Sequence, residues 1–127
     1  MDKKCIIAPN GPPAVGPYSH AVAAGNLLFV SGMGPMAPDG SGIKRGSFEV
    51  EARQTFSNLK AVLEDAGSSL AAVVKVTAFL ADMNDFHVFN TIYKEYFTAD
   101  FPARTTIQAG HLPMDIRIEI EAVALLG

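Results

Sequence analysis

From Ile116 to Leu125 the chain alternates without a break. Ile116, Ile118, Ile120, Ala122 and Ala124 fall on one side; Arg117, Glu119, Glu121, Val123 and Leu125 fall on the other. Strand side chains point to opposite faces with a period of two, so this segment reads as a strand with one dry face. A dry strand face needs other strands beside it and a layer over it. Val123 and Leu125 add that part of the second face is docked rather than wet.

The rest of the chain supplies those elements. Residues 8–17 are rich in Pro and Gly and read as a loop. Tyr18 to Ala24 and Leu27 to Gly32 read as strands joined by Gly25-Asn26, a pair that tolerates positive φ and favours a tight hairpin. That turn sets Ala24 against Leu27, Val22 against Phe29 and His20 against Ser31, with Tyr18 diagonal to Ser31. Residues 34–46 form a glycine- and proline-rich loop. Ser47 is a good N-cap, with Glu49 and Glu51 following in the first turn. Ala52, Phe56, Leu59, Leu63 and Ala66 then make a helical stripe, and Gly67 is a natural stop. Val73 to Ala81 reads as a strand. A second helix starts after Asp82 to Asp85, with Phe86, Phe89, Tyr93 and Phe97 as its stripe, and Ala103 to Ala109 is a further strand. The expected fold class is α+β, with two helices on one face of a mostly antiparallel sheet.

The length of 127 residues fits one domain, residues 1–127. Apolar residues make up 49% of it, more than so small a body hides easily, so other subunits are expected to cover some of them. The net charge is −3 and the ten Lys and Arg are scattered, with Lys3-Lys4 and Lys44-Arg45 the longest basic runs. Nucleic-acid binding usually needs a basic stripe, so no nucleic-acid partner is expected. Cys5 is the single cysteine, which excludes an internal disulfide and suits a reducing compartment. No apolar stretch approaches a signal-peptide core or the roughly 20 residues of a membrane span, so a cytoplasmic protein without membrane contact is expected.

Several residues invite chemistry. Asn90 lies within the stripe of the second helix and either ties down a neighbouring loop or lines a pocket. Arg104, among Phe101, Pro102, Ala103 and Ile107, needs an acidic partner. A protein carboxylate and a ligand carboxylate both suit its planar fork, and the residues alone leave the two about even. Glu119 and Glu121 share the polar strand face. Either becomes a base only with partial burial and a poised water. Ser31 and His20 lack the strained elbow of a nucleophilic serine. The three histidines lack the paired spacing of a zinc site, so no metal is expected.

Gly16-Pro17-Tyr18-Ser19, Ser31-Gly32, Phe101-Pro102-Ala103-Arg104-Thr105 and Ile118-Glu119-Ile120-Glu121-Ala122 resemble, in order and spacing, the Rid family. These are the reactive intermediate deaminases, also called the YjgF or L-PSP family. Asn90 and Leu112-Pro113 fit too. The resemblance spans essentially the whole chain. It implies a chorismate-mutase-like fold, a homotrimer with a central barrel, and active sites between subunits. It further implies hydrolysis of 2-imino acids such as 2-iminopropanoate and 2-iminobutanoate to 2-oxo acids and ammonia, as in the RidA branch, with no metal or organic cofactor. Carried across, Arg104 grips the substrate carboxylate and Glu119 activates water. Tyr18, Ser31, Gly32 and Asn90 line the cleft, and the backbone of Thr106 contacts the substrate nitrogen or the water. Thr106 stands where many relatives carry Cys, Met33 where a polar residue is common, and His111 where Arg is frequent. An RNA-cleaving translation inhibitor and a non-catalytic trimeric binding module are the other activities the resemblance allows.

Overall fold

The computed structural model describes residues 2–127. Its six strands are β1 (Lys3–Ile6), β2 (Ala21–Ala24), β3 (Leu27–Met33), β4 (Val73–Leu80), β5 (Ala103–Gln108) and β6 (Ile118–Leu125). Two helices, α1 (Phe48–Asp65) and α2 (Phe86–Tyr96), complete an α+β fold. The sheet order is β1-β2-β3-β6-β4-β5. Every pairing is antiparallel except β4 with β5. That parallel pair needs a crossover, which α2 provides.

The alternating segment is the hinge of this arrangement. β6 lies between β3 and β4, and Ile118, Ile120, Ala122 and Ala124 are all buried under the helices. α1 starts at Ser47, whose hydroxyl accepts from the Val50 amide at 3.2 Å. It ends with Gly67 at φ 84°, where Gly67 N–H donates to Glu64 O and Ser68 N–H donates to Leu63 O. This is the pattern of a left-handed helix stop. Phe56 of α1 stacks on Tyr96 of α2 at 4.8 Å and meets Tyr93 edge-on at 5.9 Å. This aromatic contact sets where α2 lies over the sheet.

The turn at Gly25-Asn26 holds the expected register, with Ala24 opposite Leu27 and Val22 opposite Phe29. Two expectations change. His20 still meets Ser31 as expected, its carbonyl accepting from Ser31 N–H at 3.0 Å, but Tyr18 and Ser19 do not extend β2 as a ladder. The Ser31 hydroxyl donates to Ser19 O at 2.7 Å, and the buried His20 ring accepts from Ala8 N–H at 2.9 Å. Side chains thus take over partners that a strand would use. In addition, β1 adds an edge strand that carries no alternation, because its residues are exposed or nearly so on both faces.

The buried amide that ties down a loop is Asn58 of α1, not Asn90. Its Nδ2 donates to Gly34 O at 2.9 Å and to Met36 O at 2.8 Å. Asn90 is only half-buried. Asn58→Leu orphans two carbonyls, each worth about 1–3 kcal/mol when left unpaired. The variant is expected to unfold at a clearly lower urea midpoint with an unchanged slope.

Candidate functional site

Between Val30 and Met33, β3 advances three residues while β6 advances two, from Ala122 to Ile120. The extra residue is a bulge, which re-aims the chain locally. It places Gly32 against Glu119. A Cβ on Gly32 would lie 2.5 Å from Glu119 Oε2, so the carboxylate occupies the space a side chain would need. Glu119 is half-buried while Glu121 is exposed. Burial pushes the Glu119 carboxyl above its ordinary value, and the charge of Glu121 pushes it further the same way. The two glutamates are therefore unlike, although they share a strand face.

Glu119 opens into a cavity of about 330 Å³ that Tyr18, Ser31 and Gly32 also line. Much of the polar lining is already engaged. His20 Nδ1 accepts from Ala8, so Nε2 carries the proton and donates to Pro12 O at 2.6 Å. The Ser31 hydroxyl proton goes to Ser19 O. A serine–histidine nucleophile is excluded by these bonds. Tyr18 Oη accepts from Val15 N–H at 3.2 Å, which leaves its proton free to donate.

Arg104 and Asn90 lie in a second recess of about 370 Å³, with Tyr93, Phe101 and Pro102. The guanidinium carbon stands 4.7 Å from the Tyr93 ring centre, 5.1 Å from Phe89 and 5.7 Å from Phe86. The ion pairs among the described residues involve Arg53, His111 and Arg117, and none involves Arg104. The fork is held by aromatic faces instead, so its hydrogen-bond donors are not taken up by a carboxylate. The aromatic stripe of α2 reads in sequence as core alone, and this second duty was not visible there. Thr106 follows on the same strand face, its Oγ1 buried without a partner.

The two recesses lie on opposite sides of the sheet. Arg104 aligns with Val76 and Ala122, on the helix-covered face. Glu119 aligns with Phe79 and, through it, with Ile107, on the helix-free face. One chain therefore keeps Arg104, Asn90 and Thr106 apart from Tyr18, Ser31, Gly32 and Glu119. The helix-free face also exposes Phe29 and Leu125 at 46% each and Ile107 at 44%.

Residues 8–126 match the family described as Endoribonuclease L-PSP. The chain belongs to this family. A RutC family protein of Pyrococcus horikoshii is 47% identical over 96% of this chain and 97% of its own. A human 2-iminobutanoate/2-iminopropanoate deaminase is 42% identical over 98% and 91%. Among solved structures, that of E. coli TdcF with bound serine superposes with a TM-score of 0.91 at 36% identity, covering 98% of this chain and 99% of that one. Among the described residues of this L-PSP family member, no group of three or more His, Cys, Asp or Glu is arranged to hold a metal ion. Among the same described residues, no helix is long and apolar enough to cross a membrane.

The Gly32–Glu119 contact generates two tests. Gly32→Ala forces the carboxylate out of its place, and Glu119 is expected to titrate closer to an exposed glutamate when followed by carboxyl NMR. The raised value of Glu119 also has a stability consequence. It favours folding below the ordinary carboxylate value of 4.5 and loses that benefit as pH rises through the folded-state value. Glu119→Gln is therefore expected to melt higher than the parent at neutral pH, with the gap narrowing as pH falls through the folded-state value and closed below 4.5.

Proposed function

We propose that this L-PSP family member hydrolyses 2-imino acids such as 2-iminopropanoate and 2-iminobutanoate, releasing 2-oxo acids and ammonia. The observation that carries the reading is Arg104: a half-buried guanidinium, braced by three rings and free of any protein carboxylate. Relatives of about 40% identity named as imine deaminases support the same activity.

In this reading Arg104 binds the substrate carboxylate, and Asn90 lines the recess beside it. β5 is the outermost strand, so it has a free backbone edge, and Thr106 on it contacts the imine nitrogen or the water. Glu119 takes a proton from water as the oxygen adds to C2. Glu119 then gives that proton to the nitrogen, the carbon–nitrogen bond breaks and ammonia leaves, while the hydroxyl proton passes back to Glu119 and C2 becomes a carbonyl. A protonated imine is electrophilic enough that positioning and a base suffice. Base assistance is typically worth about 10²–10⁴-fold. The raised value of Glu119 brings it nearer the operating pH, where a base works best.

Arg104 and Glu119 lie on opposite faces of one sheet, so the complete site takes Arg104 from one chain and Glu119 from another. A homotrimer closing the helix-free faces around a barrel meets that need and covers Phe29, Ile107 and Leu125.

The test uses threonine, a threonine dehydratase and semicarbazide. Added protein is expected to suppress semicarbazone formation. Arg104→Ala is expected to weaken 2-oxobutanoate binding by about 10- to 150-fold, from the 1.5–3 kcal/mol of a charged hydrogen bond. Glu119→Gln is expected to lose about 10²–10⁴-fold in rate. Co-refolding the two inactive variants should restore part of the activity, because mixed assemblies contain sites with both native residues. No suppression by the parent protein, or no recovery on mixing, rejects the reading or its shared site respectively.

A further inference from the structure

Asn10 is followed by glycine, which is true of none of the other asparagines, Asn26, Asn58, Asn84 and Asn90. An asparagine before glycine is among the least stable sites in a peptide chain. Glycine has no Cβ to hinder its nitrogen, and its backbone turns freely. That nitrogen can attack the side-chain amide one residue before it. The fold nevertheless demands glycine here. A Cβ on Gly11 would lie 2.9 Å from Cγ2 of Val62, a fully buried side chain of α1. A β-branched side chain has little rotamer freedom in a helix, so Val62 does not give way easily.

Two sets of contacts hold the pair. Residues 8–11 form a turn in which Gly11 N–H donates to Ala8 O at 3.1 Å. Pro9 and Gly11 sit at the second and fourth positions, where a turn favours them. The buried His20 ring pins the chain on either side, accepting from Ala8 N–H at 2.9 Å and donating to Pro12 O at 2.6 Å. Asp65 grips the exposed Asn10 itself. Its Oδ2 accepts from Asn10 N–H at 2.7 Å, and its Oδ1 accepts from Asn10 Nδ2 at 2.8 Å. Asp65 is the last residue of α1, and that last turn carries no basic residue. A carboxylate at the negative end of a helix is unfavourable, and the two donors of Asn10 offset it.

We propose that Asn10-Gly11 is a self-modification site and that Asp65 is its lock. When the Asp65 contact opens, Gly11 N loses its proton to solvent base and bonds to Asn10 Cγ. The Cγ–Nδ2 bond breaks, and the nitrogen takes up a proton and leaves as ammonia. A five-membered succinimide remains. Water then adds to one of its two carbonyls. Opening at Cγ gives aspartate, and opening at the backbone carbonyl gives isoaspartate, with one more methylene in the main chain. The sequence of steps consumes one water and no oxidant or cofactor. Neither product re-forms the lock, because each sets a carboxylate where Nδ2 donated, against the carboxylate of Asp65. The change is one-way and marks chains in which this corner has opened. It does not depend on the imine-hydrolysing reading.

The full chain is incubated in mildly alkaline buffer, either folded or unfolded in urea. Peptide mass mapping with isoaspartyl methyltransferase labelling follows each asparagine. In urea, Asn10 is expected to convert well ahead of the other asparagines. Folded Asp65→Ala is expected to convert at Asn10 at least about tenfold faster than the folded parent, the scale of one hydrogen bond to a charged group. Thermal midpoints establish that the variant is folded. Asp65→Asn, which keeps the shape without the charge, makes the same comparison if the alanine variant is not. Asn10→Asp is expected to melt below the parent. Equal rates in the folded parent and a folded Asp65 variant overturn the lock. Conversion of Asn10 in urea no faster than at the other asparagines overturns the site, and an Asn10→Asp midpoint equal to the parent's overturns the one-way step.

Discussion

β6 carries two incompatible environments on one strand, and the rest of the structure follows from that. Its even-numbered side chains from Ile118 to Ala124 pack under two helices, while Glu119, Glu121, Val123 and Leu125 face away. A one-residue slip would exchange these sets and bury carboxylates beneath α1, so the register is strongly held. β3 on one side and β4 on the other close its hydrogen bonds. The bulge in β3, between the Val30–Ala122 and Met33–Ile120 pairs, then brings Gly32 close enough to Glu119 for the carboxylate to take the place of a side chain. A half-buried carboxylate beside a second acid is costly in its charged form, and that cost raises its proton affinity. Stability is thus given up at Glu119.

Arg104 shows the complementary device. A guanidinium in an apolar setting is usually satisfied by a protein carboxylate, which would also occupy its fork. Here the rings of Phe86, Phe89 and Tyr93 hold it from one side. The contact depends on the helix–helix packing of Phe56 against Tyr93 and Tyr96, which sets the height of α2 above β5. Positioning by aromatic faces leaves the donors available for an anion and excludes water from one side of the charge. Because β5 is an edge strand, this charge also stands at the boundary of the chain.

Much of the fold was legible in the residues. The Gly25-Asn26 turn placed the hairpin register because a two-residue loop leaves one way to pair the flanking strands. Ser47 and Gly67 marked the ends of α1 because free amides and a left-handed stop need those residue types. Elsewhere local pattern misled. Asn90 lies in the stripe of α2 yet is half-buried, and the amide that binds a loop is Asn58, whose role depends on carbonyls 22 and 24 residues away. β1 was missed because an exposed edge strand has no buried face to create a period. Ser31 and His20 share a face as expected, yet their hydrogen bonds to Ser19, Ala8 and Pro12 make them structural.

The sequence by itself determined the period of each element, its ends, the face each buries and the family motifs around Arg104 and Glu119, because these depend on neighbours within a few residues. Only the tertiary structure decided which glutamate is half-buried, which polar groups are already engaged, and that Arg104 and Glu119 lie on opposite faces of one sheet. Those outcomes depend on a bulge, a crossover and helix packing that join residues far apart in the chain. Burial and hydrogen bonding at a side chain are properties of everything that surrounds it, and no local run of residues contains that information.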